Sequence, residues 1–148
     1  MWAFVAIGKF IHFILEGMIE GLQVCGMADR IDLMQDGTYR MVDLKITSEM
    51  KNENAIKWHY HCINFKYYHQ LALYQYLFMT KRGLKKHQVE CCHVSAAYIS
   101  PGLSRIKGFR ISQERLDEAM REVRWALGEI KQYNFDPQLV TWKDAEVV

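Results

Sequence analysis

The sequence predicts an α+β fold in which helices pack on a mixed β-sheet. Residues 2–46 have the pattern of β-strands separated by tight turns, and periodic helical patterns follow them. The length of 148 residues suits one domain, since no repeat, low-complexity tract or Pro/Gly-rich linker divides the chain. We therefore expect residues 1–148 to form one domain.

Turn signals divide the first part of the chain into an antiparallel meander. The dipeptides Glu20-Gly21 and Asp36-Gly37 mark two tight turns between apolar segments. Several of these segments have apolar residues at both odd and even positions, which is typical of strands covered on both faces. The predicted strands are residues 9–19, 22–34 and 38–46.

The remainder of the chain alternates helical and strand patterns. Apolar residues recur at steps of three and four over residues 54–81, which predicts one helix that ends at Gly83. Strands are predicted at 94–99 and 107–111. Ser112 is the predicted N-cap of a final helix with one apolar stripe.

Composition narrows the class of protein. Apolar residues make up 50% and charged residues 24% of the chain, which excludes a disordered chain, while the formal net charge of +2 does not by itself indicate nucleic-acid binding. The apolar run before Lys9 is too short for a membrane span or signal peptide, so no membrane association is expected. The cysteines lack the spacing of a metal site or a disulfide framework, so we expect free thiols and a cytoplasmic location. They are Cys25, Cys62, Cys91 and Cys92.

The segment GMADRIDLMQDGTYRMVDLKIT, residues 26–47, places charged residues in predicted strands. Asp43 and Lys45 share one strand face because side chains alternate. Burying them costs free energy unless they are paired or bind a metal ion, and a structural ion pair is the simpler alternative. A second aspartate across the hairpin would create an oxygen site suited to Mg²⁺ or Mn²⁺, beside which a lysine can orient water and stabilise phosphate charge.

Hairpin geometry leaves two candidates for that second aspartate. A two-residue turn at Asp36-Gly37 would pair residues whose numbers sum to 73, which places Asp32 on the face of Asp43. A loop with an odd number of residues, or a β-bulge, would place Asp29 there instead.

Three motifs in order resemble the PD-(D/E)XK nuclease superfamily, most closely its RecB-like and RecE-like exonucleases, which are often encoded by phages. They are Gly-x-x-Asp at residues 26–29, Asp-x-Lys at 43–45, and a helical Gln-x-x-x-Tyr at 70–74. The resemblance implies a restriction-endonuclease-like fold and metal-dependent hydrolysis of DNA. It implies these catalytic residues: Asp29, Asp43, Lys45, Gln70 and Tyr74. It also implies Mg²⁺ (or Mn²⁺) bound by Asp29, Asp43 and the backbone carbonyl of Leu44.

The motif therefore favours Asp29, so an irregular hairpin is predicted, with Asp32 paired to an arginine. For Gln70 and Tyr74, which share one helix face, plain packing is the alternative. Related enzymes supply a further His or Glu ligand from a helix before the first aspartate, but the residues before Asp29 have the pattern of strands. The helix is expected to be absent and the site incomplete. With a two-residue turn at Glu20-Gly21, His12 would face Asp29 and is a substitute ligand; a strand histidine without a ligand role is the alternative.

The sequence thus predicts an exonuclease of phage-type recombination or repair. An inactive nuclease-fold domain that binds DNA or a protein partner is the main alternative, and a small ligand-binding α+β domain is the third. The resemblance is also compatible with a homo-oligomer, since some relatives form rings that enclose DNA. A basic cluster is a candidate contact to the DNA backbone, with a solvated helix end as the alternative. This cluster comprises Lys81, Arg82, Lys85 and Lys86.

Overall fold

Three strands at the start of the chain form the predicted meander. The structure, a computed structural model, describes residues 6–132. The strands β1 (Ala6–Ile19), β2 (Leu22–Met34) and β3 (Tyr39–Thr47) pair in sequence order, and each pair is antiparallel. This part of the predicted architecture is confirmed.

A parallel crossover adds the second half of the sheet. Helices α1 (Ala55–Phe65) and α2 (Tyr67–Arg82) and a 3₁₀ turn lie between β3 and β4 (Val89–Ser100), which pairs parallel to β3. Parallel neighbours need such a connection because a tight turn can only join antiparallel strands. Strand β5 (Leu103–Ile111) pairs antiparallel to β4, and the final helix α3 is Gln113–Gln132. The sheet order is β1-β2-β3-β4-β5, so the predicted α+β class is confirmed.

The core lies between the sheet and α2. Fully buried side chains of the strands, such as Leu15, Ile31 and Met41, pack with Leu71 and Phe78 of α2. Fully burying a side chain of this size contributes about 1.5–3 kcal/mol. Helix α3 packs on α2 through its apolar stripe. Within residues 6–132, no helix combines the length and apolar composition needed to cross a bilayer.

The prediction of one helix over residues 54–81 is wrong, because the chain breaks at Lys66. This residue has φ 59° and ψ 29°, and its N–H caps α1 by donating to the carbonyls of Cys62 and Ile63. A left-handed residue other than glycine costs about 1–2 kcal/mol, and neither Gly nor Pro marks the position. The apolar pattern continues across the break and therefore hides it. The other predicted caps are confirmed, since Gly83 ends α2 and the Ser112 hydroxyl accepts from the N–H of Arg115.

The described elements cover only one face of the sheet. The expectation that the strands are covered on both faces, which came from their apolar residues at both odd and even positions, is therefore wrong. The core helices pack on one face of the sheet. On the other face, several large apolar side chains stay exposed within residues 6–132, because no described element packs over them. They include Ile14, Met27, Leu44, Ile46 and Ile106.

Candidate active site

The β2–β3 hairpin closes through the three residues 35–37. The N–H of Gly37 donates to the carbonyl of Met34 at 3.0 Å, and Gly37 has φ 80°. A type I turn followed by a left-handed residue is a common three-residue hairpin loop, and glycine adopts that φ without strain. The loop is therefore odd, which confirms the predicted irregular hairpin.

This loop aligns the two candidate carboxylates. The β2–β3 pairing runs as far as Arg30 opposite Val42, so the next positions in register are Asp29 and Asp43. Beyond the last backbone pair, Asp29 Oδ2 accepts a hydrogen bond from the N–H of Leu44 at 2.8 Å. The side chain of Asp29 thus ties the end of β2 to β3 beside Asp43.

A local irregularity in β1 and β2 accompanies this arrangement. Ala28 and Ile31 both belong to the core although they are three residues apart. Residues three apart in a regular strand lie on opposite faces, so the alternation of β2 is interrupted between them. In β1, His12 occupies the register position opposite Asp29 and has φ 51°. The predicted register of this hairpin is confirmed. However, His12 is exposed, and no group of three His, Cys, Asp or Glu residues within 6–132 is placed to hold a metal ion. The structure therefore does not bring His12 together with both carboxylates.

Lys45 forms the centre of a polar chain across the site. Its ammonium lies 2.8 Å from Asp43 Oδ2, and the two side chains are only 15% and 4% exposed. The same Nζ donates to Gln70 Oε1 at 2.6 Å, and Gln70 Nε2 donates to the hydroxyl of Tyr74 at 3.1 Å. The ring of Tyr67 lies 4.5 Å from Nζ. The structure thus brings together the residues of all three sequence motifs.

Burial dominates the electrostatics of Asp43. Oδ2 of this carboxylate is buried and lies 2.8 Å from the Lys45 ammonium. Burial raises the pKa of Asp43, the ammonium of Lys45 opposes this, and the charge of Asp29 raises it further. A carboxylate held beside a second carboxylate is suited to bind a divalent cation.

His93 is a further residue of the site that the sequence did not indicate. It lies opposite Asp43 in the parallel β3–β4 register, is fully buried, and has Nε2 3.8 Å from Asp43 Oδ2. Trp58 Nε1 donates to its Nδ1 at 3.2 Å. Burial, and then Lys45, lowers the pKa of His93 to about 3, so the ring is neutral at neutral pH and carries its proton on the Nε2 that faces Asp43. The only sequence signal was its position just before the predicted strand 94–99.

The two carboxylates fit a divalent ion of the magnesium type. Mg²⁺ is commonly held by one or two carboxylates and keeps several waters, so a third protein ligand is not required. Asp32 takes no part, because Arg30 Nε donates to its Oδ1 at 2.6 Å. Its predicted pairing with an arginine is confirmed.

The predicted DNA-contacting cluster lies away from this site. Lys81 and Arg82 are at the opposite end of α2 from Gln70, about 17 Å along the helix axis at 1.5 Å per residue. Arg82 lies over the ring of Phe78, and Lys86 pairs with Asp117 at 2.7 Å. Lys85 is exposed beyond the end of α2. The structure does not bring the cluster to the carboxylates.

Gly26 makes room for Tyr74. A Cβ at this position would overlap the Tyr74 ring, so any larger residue must displace it. We expect Gly26→Ala to destabilise the fold by about 1–3 kcal/mol, as overpacking does, and to disturb the hydrogen bond from Gln70 to Tyr74. Urea unfolding measures the change. Gly108→Ala is the matched control, because a Cβ there meets no described atom within 4 Å. Equal stability of both variants would contradict the prediction.

Residues 2–142 match the family model described as the PD-(D/E)XK nuclease superfamily. The chain is similar in structure to a candidate exonuclease from Eubacterium rectale, with TM-score 0.64 and 16% identity, covering 94% of this chain and 53% of that one. It thus spans about half the length of that protein. A likeness to SSO0001 has TM-score 0.44, 17% identity and coverages of 90% and 62%. No curated protein matches the chain in sequence.

Proposed function

This chain belongs to the PD-(D/E)XK nuclease superfamily, and on that premise we propose that it is a metal-dependent deoxyribonuclease that hydrolyses phosphodiester bonds. The observation that carries the proposal is the meeting of Asp29, Asp43 and Lys45 at one end of the β2–β3 ladder. An ammonium beside two carboxylates in a partly buried site can act on a phosphate only if a cation offsets the negative charge.

In the proposed mechanism, Asp29, Asp43 and the Leu44 carbonyl would hold Mg²⁺ (or Mn²⁺). An ion bound there would supply Lewis-acid chemistry, lowering the pKa of water and offsetting negative charge on the scissile phosphate. Lys45 orients the attacking water and donates to the phosphate as charge develops there.

Three neighbouring residues position these groups. Gln70 accepts from Lys45, and Tyr74 in turn accepts from Gln70, so the pair restricts where the ammonium can point. His93 faces Asp43 from β4 and limits its movement. We assign Gln70 and Tyr74 to the proposed catalytic set on this basis.

The finer proposal is an exonuclease of phage-type recombination or repair, acting on DNA in the cytoplasm. Support comes from the ordered motifs and from the free thiols, since Cys25, Cys62, Cys91 and Cys92 form no disulfide. A homo-oligomer remains a prediction.

The second candidate is an inactive nuclease-fold domain that binds DNA or a protein partner. It is favoured by one observation: residues 6–132 supply no third His, Cys, Asp or Glu to the two carboxylates. Such a domain would bind neither Mg²⁺ nor Mn²⁺ at this site.

A cleavage assay on linear and circular DNA, with and without Mg²⁺ or Mn²⁺, tests the proposed function. We expect metal-dependent cleavage of linear DNA, and Asp29→Asn should lower it at least about a hundredfold because a metal ligand is lost. Calorimetric titration with Mn²⁺ should show weaker binding by the same variant.

Asp36→Asn is the matched control, because Asp36 lies in the exposed turn and bonds only to Thr38 among the described residues. Its cleavage rate and Mn²⁺ affinity should equal those of the unmodified chain. Absence of cleavage and of Mn²⁺ binding in the unmodified chain would favour the inactive domain.

A further inference from the structure

A cavity of about 810 Å³ lies beside the candidate active site. It is lined by the end of β3, by the loop that follows it, and by α1 and the start of α2. A volume of this size lies within the range of ligand sites. None of the proposed catalytic residues lines it.

Two contacts make the cavity continuous with the site. Thr47 lines it and follows Lys45 by two residues on the same face of β3. Tyr67 also lines it, and the same ring lies 4.5 Å from Lys45 Nζ. A polymer whose phosphate lies at Lys45 would therefore place neighbouring units in the cavity.

The wall of the cavity is rich in aromatic rings that are open to solvent. Tyr60 is 64% and Phe65 is 60% exposed, although large apolar groups are usually buried. Phe65 lies 4.6 Å from the ring of His61 and is stacked near Tyr67 at 5.7 Å, so the rings of His61, Phe65 and Tyr67 form one continuous surface. His61 Nε2 is buried and has no hydrogen-bond partner among the described residues.

The charged side chains of the lining are two lysines, Lys51 and Lys57, and one carboxylate, Glu49. Lys51 pairs with Glu49 at 2.9 Å, and Lys57 pairs with Glu53, with all four side chains partly or largely exposed. Exposed pairs of this kind contribute little to stability, so either ammonium can exchange its partner for a phosphate. Aromatic faces with nearby cations are the usual surface for single-stranded nucleic acid, because unpaired bases stack on rings while the backbone contacts lysines.

We propose that this cavity is a binding subsite for unpaired bases of single-stranded DNA next to the phosphate that is cleaved. The inference rests on the proposed nuclease function and specifies its substrate. Bases in a duplex are already stacked within the helix, so they cannot occupy the rings without being unpaired. The chain should therefore prefer a single strand, or a frayed end, over an intact duplex.

Binding without cleavage provides the test. Fluorescence anisotropy in EDTA measures the affinity of the whole chain for a labelled oligo-dT of about eight nucleotides, a length within the usual site sizes. Phe65→Ala and Tyr60→Ala should each weaken binding about tenfold, the lower part of the range for one stacked base. Phe65→Leu, which keeps apolar volume but no ring, should resemble Phe65→Ala.

Trp125→Ala is the matched control, because Trp125 is a 70% exposed aromatic residue on α3 that does not line the cavity. Unchanged affinity in this variant together with loss in Phe65→Ala supports the subsite. If Phe65→Ala and Tyr60→Ala bound oligo-dT as tightly as Trp125→Ala does, the proposed subsite would be overturned. Tighter binding of a blunt duplex than of oligo-dT by the unmodified chain would also overturn it.

Failure of the nuclease function would give a different result. In that case, no divalent ion would produce cleavage, but the oligo-dT affinity would still fall in Phe65→Ala.

Discussion

Lys45→Ala is expected to lower the rate of DNA cleavage by at least about a thousandfold. Its ammonium is the group that touches Asp43, Gln70 and the face of Tyr67, so no other described side chain can replace it at that point. Removing one group that stabilises developing charge commonly costs a factor of 10² to 10³, and loss of water orientation adds to it. Single-turnover cleavage of linear DNA in Mg²⁺ measures the rate.

Two further variants separate chemistry from folding. Lys45→Met keeps the length of the chain that packs on Tyr67 but removes the charge, and it should be as inactive as Lys45→Ala. Lys9→Ala changes an exposed lysine of β1 and should cleave at the normal rate. Near-normal cleavage by a folded Lys45→Met variant would show that Lys45 has no chemical role.

Asp43→Asn is expected to abolish metal binding and cleavage, and to remove the pH dependence that this carboxylate gives to the stability of the metal-free protein. Burial raises the pKa of Asp43 above its ordinary 3.8, so the folded state binds the proton more tightly than the unfolded state. Stability of the metal-free chain therefore falls as the pH rises from the unfolded pKa through the raised folded pKa. The neutral amide does not titrate, so this pH dependence should be lost in the variant.

Urea unfolding in EDTA across this pH range measures the effect, and calorimetric titration with Mn²⁺ measures the metal affinity. Asp32→Asn is the control, because that buried carboxylate is hydrogen-bonded by Arg30. We expect it to be destabilised with unchanged Mn²⁺ affinity. An Asp43→Asn variant that binds Mn²⁺ normally would exclude Asp43 from the metal site.

Local patterns predicted the strand meander and the shared face of Asp43 and Lys45, because alternation and turn residues act over a few positions. They could not choose between Asp29 and Asp32, since one residue of loop length reverses every side chain of a strand. The structure decides this through the three-residue loop that contains Gly37.

Features that depend on distant segments were not visible in the sequence. His93 comes to Asp43 only through the parallel pairing of β3 with β4. The break at Lys66 has no local signal, because a single left-handed lysine is stabilised by the two helices that it joins. The aromatic cavity needs that break, since Phe65 and Tyr67 meet across it.

The placement of two helices between β3 and β4 also has a consequence for how the protein acquires activity. Residues 48–88 must close into a long loop before the two parallel strands can pair, and contacts of such large sequence separation form slowly. Until then Asp43 lacks its neighbour on β4. We expect refolding chains to regain helical circular dichroism well before they regain nucleolytic competence, so that an immature polypeptide poses little danger to the DNA around it.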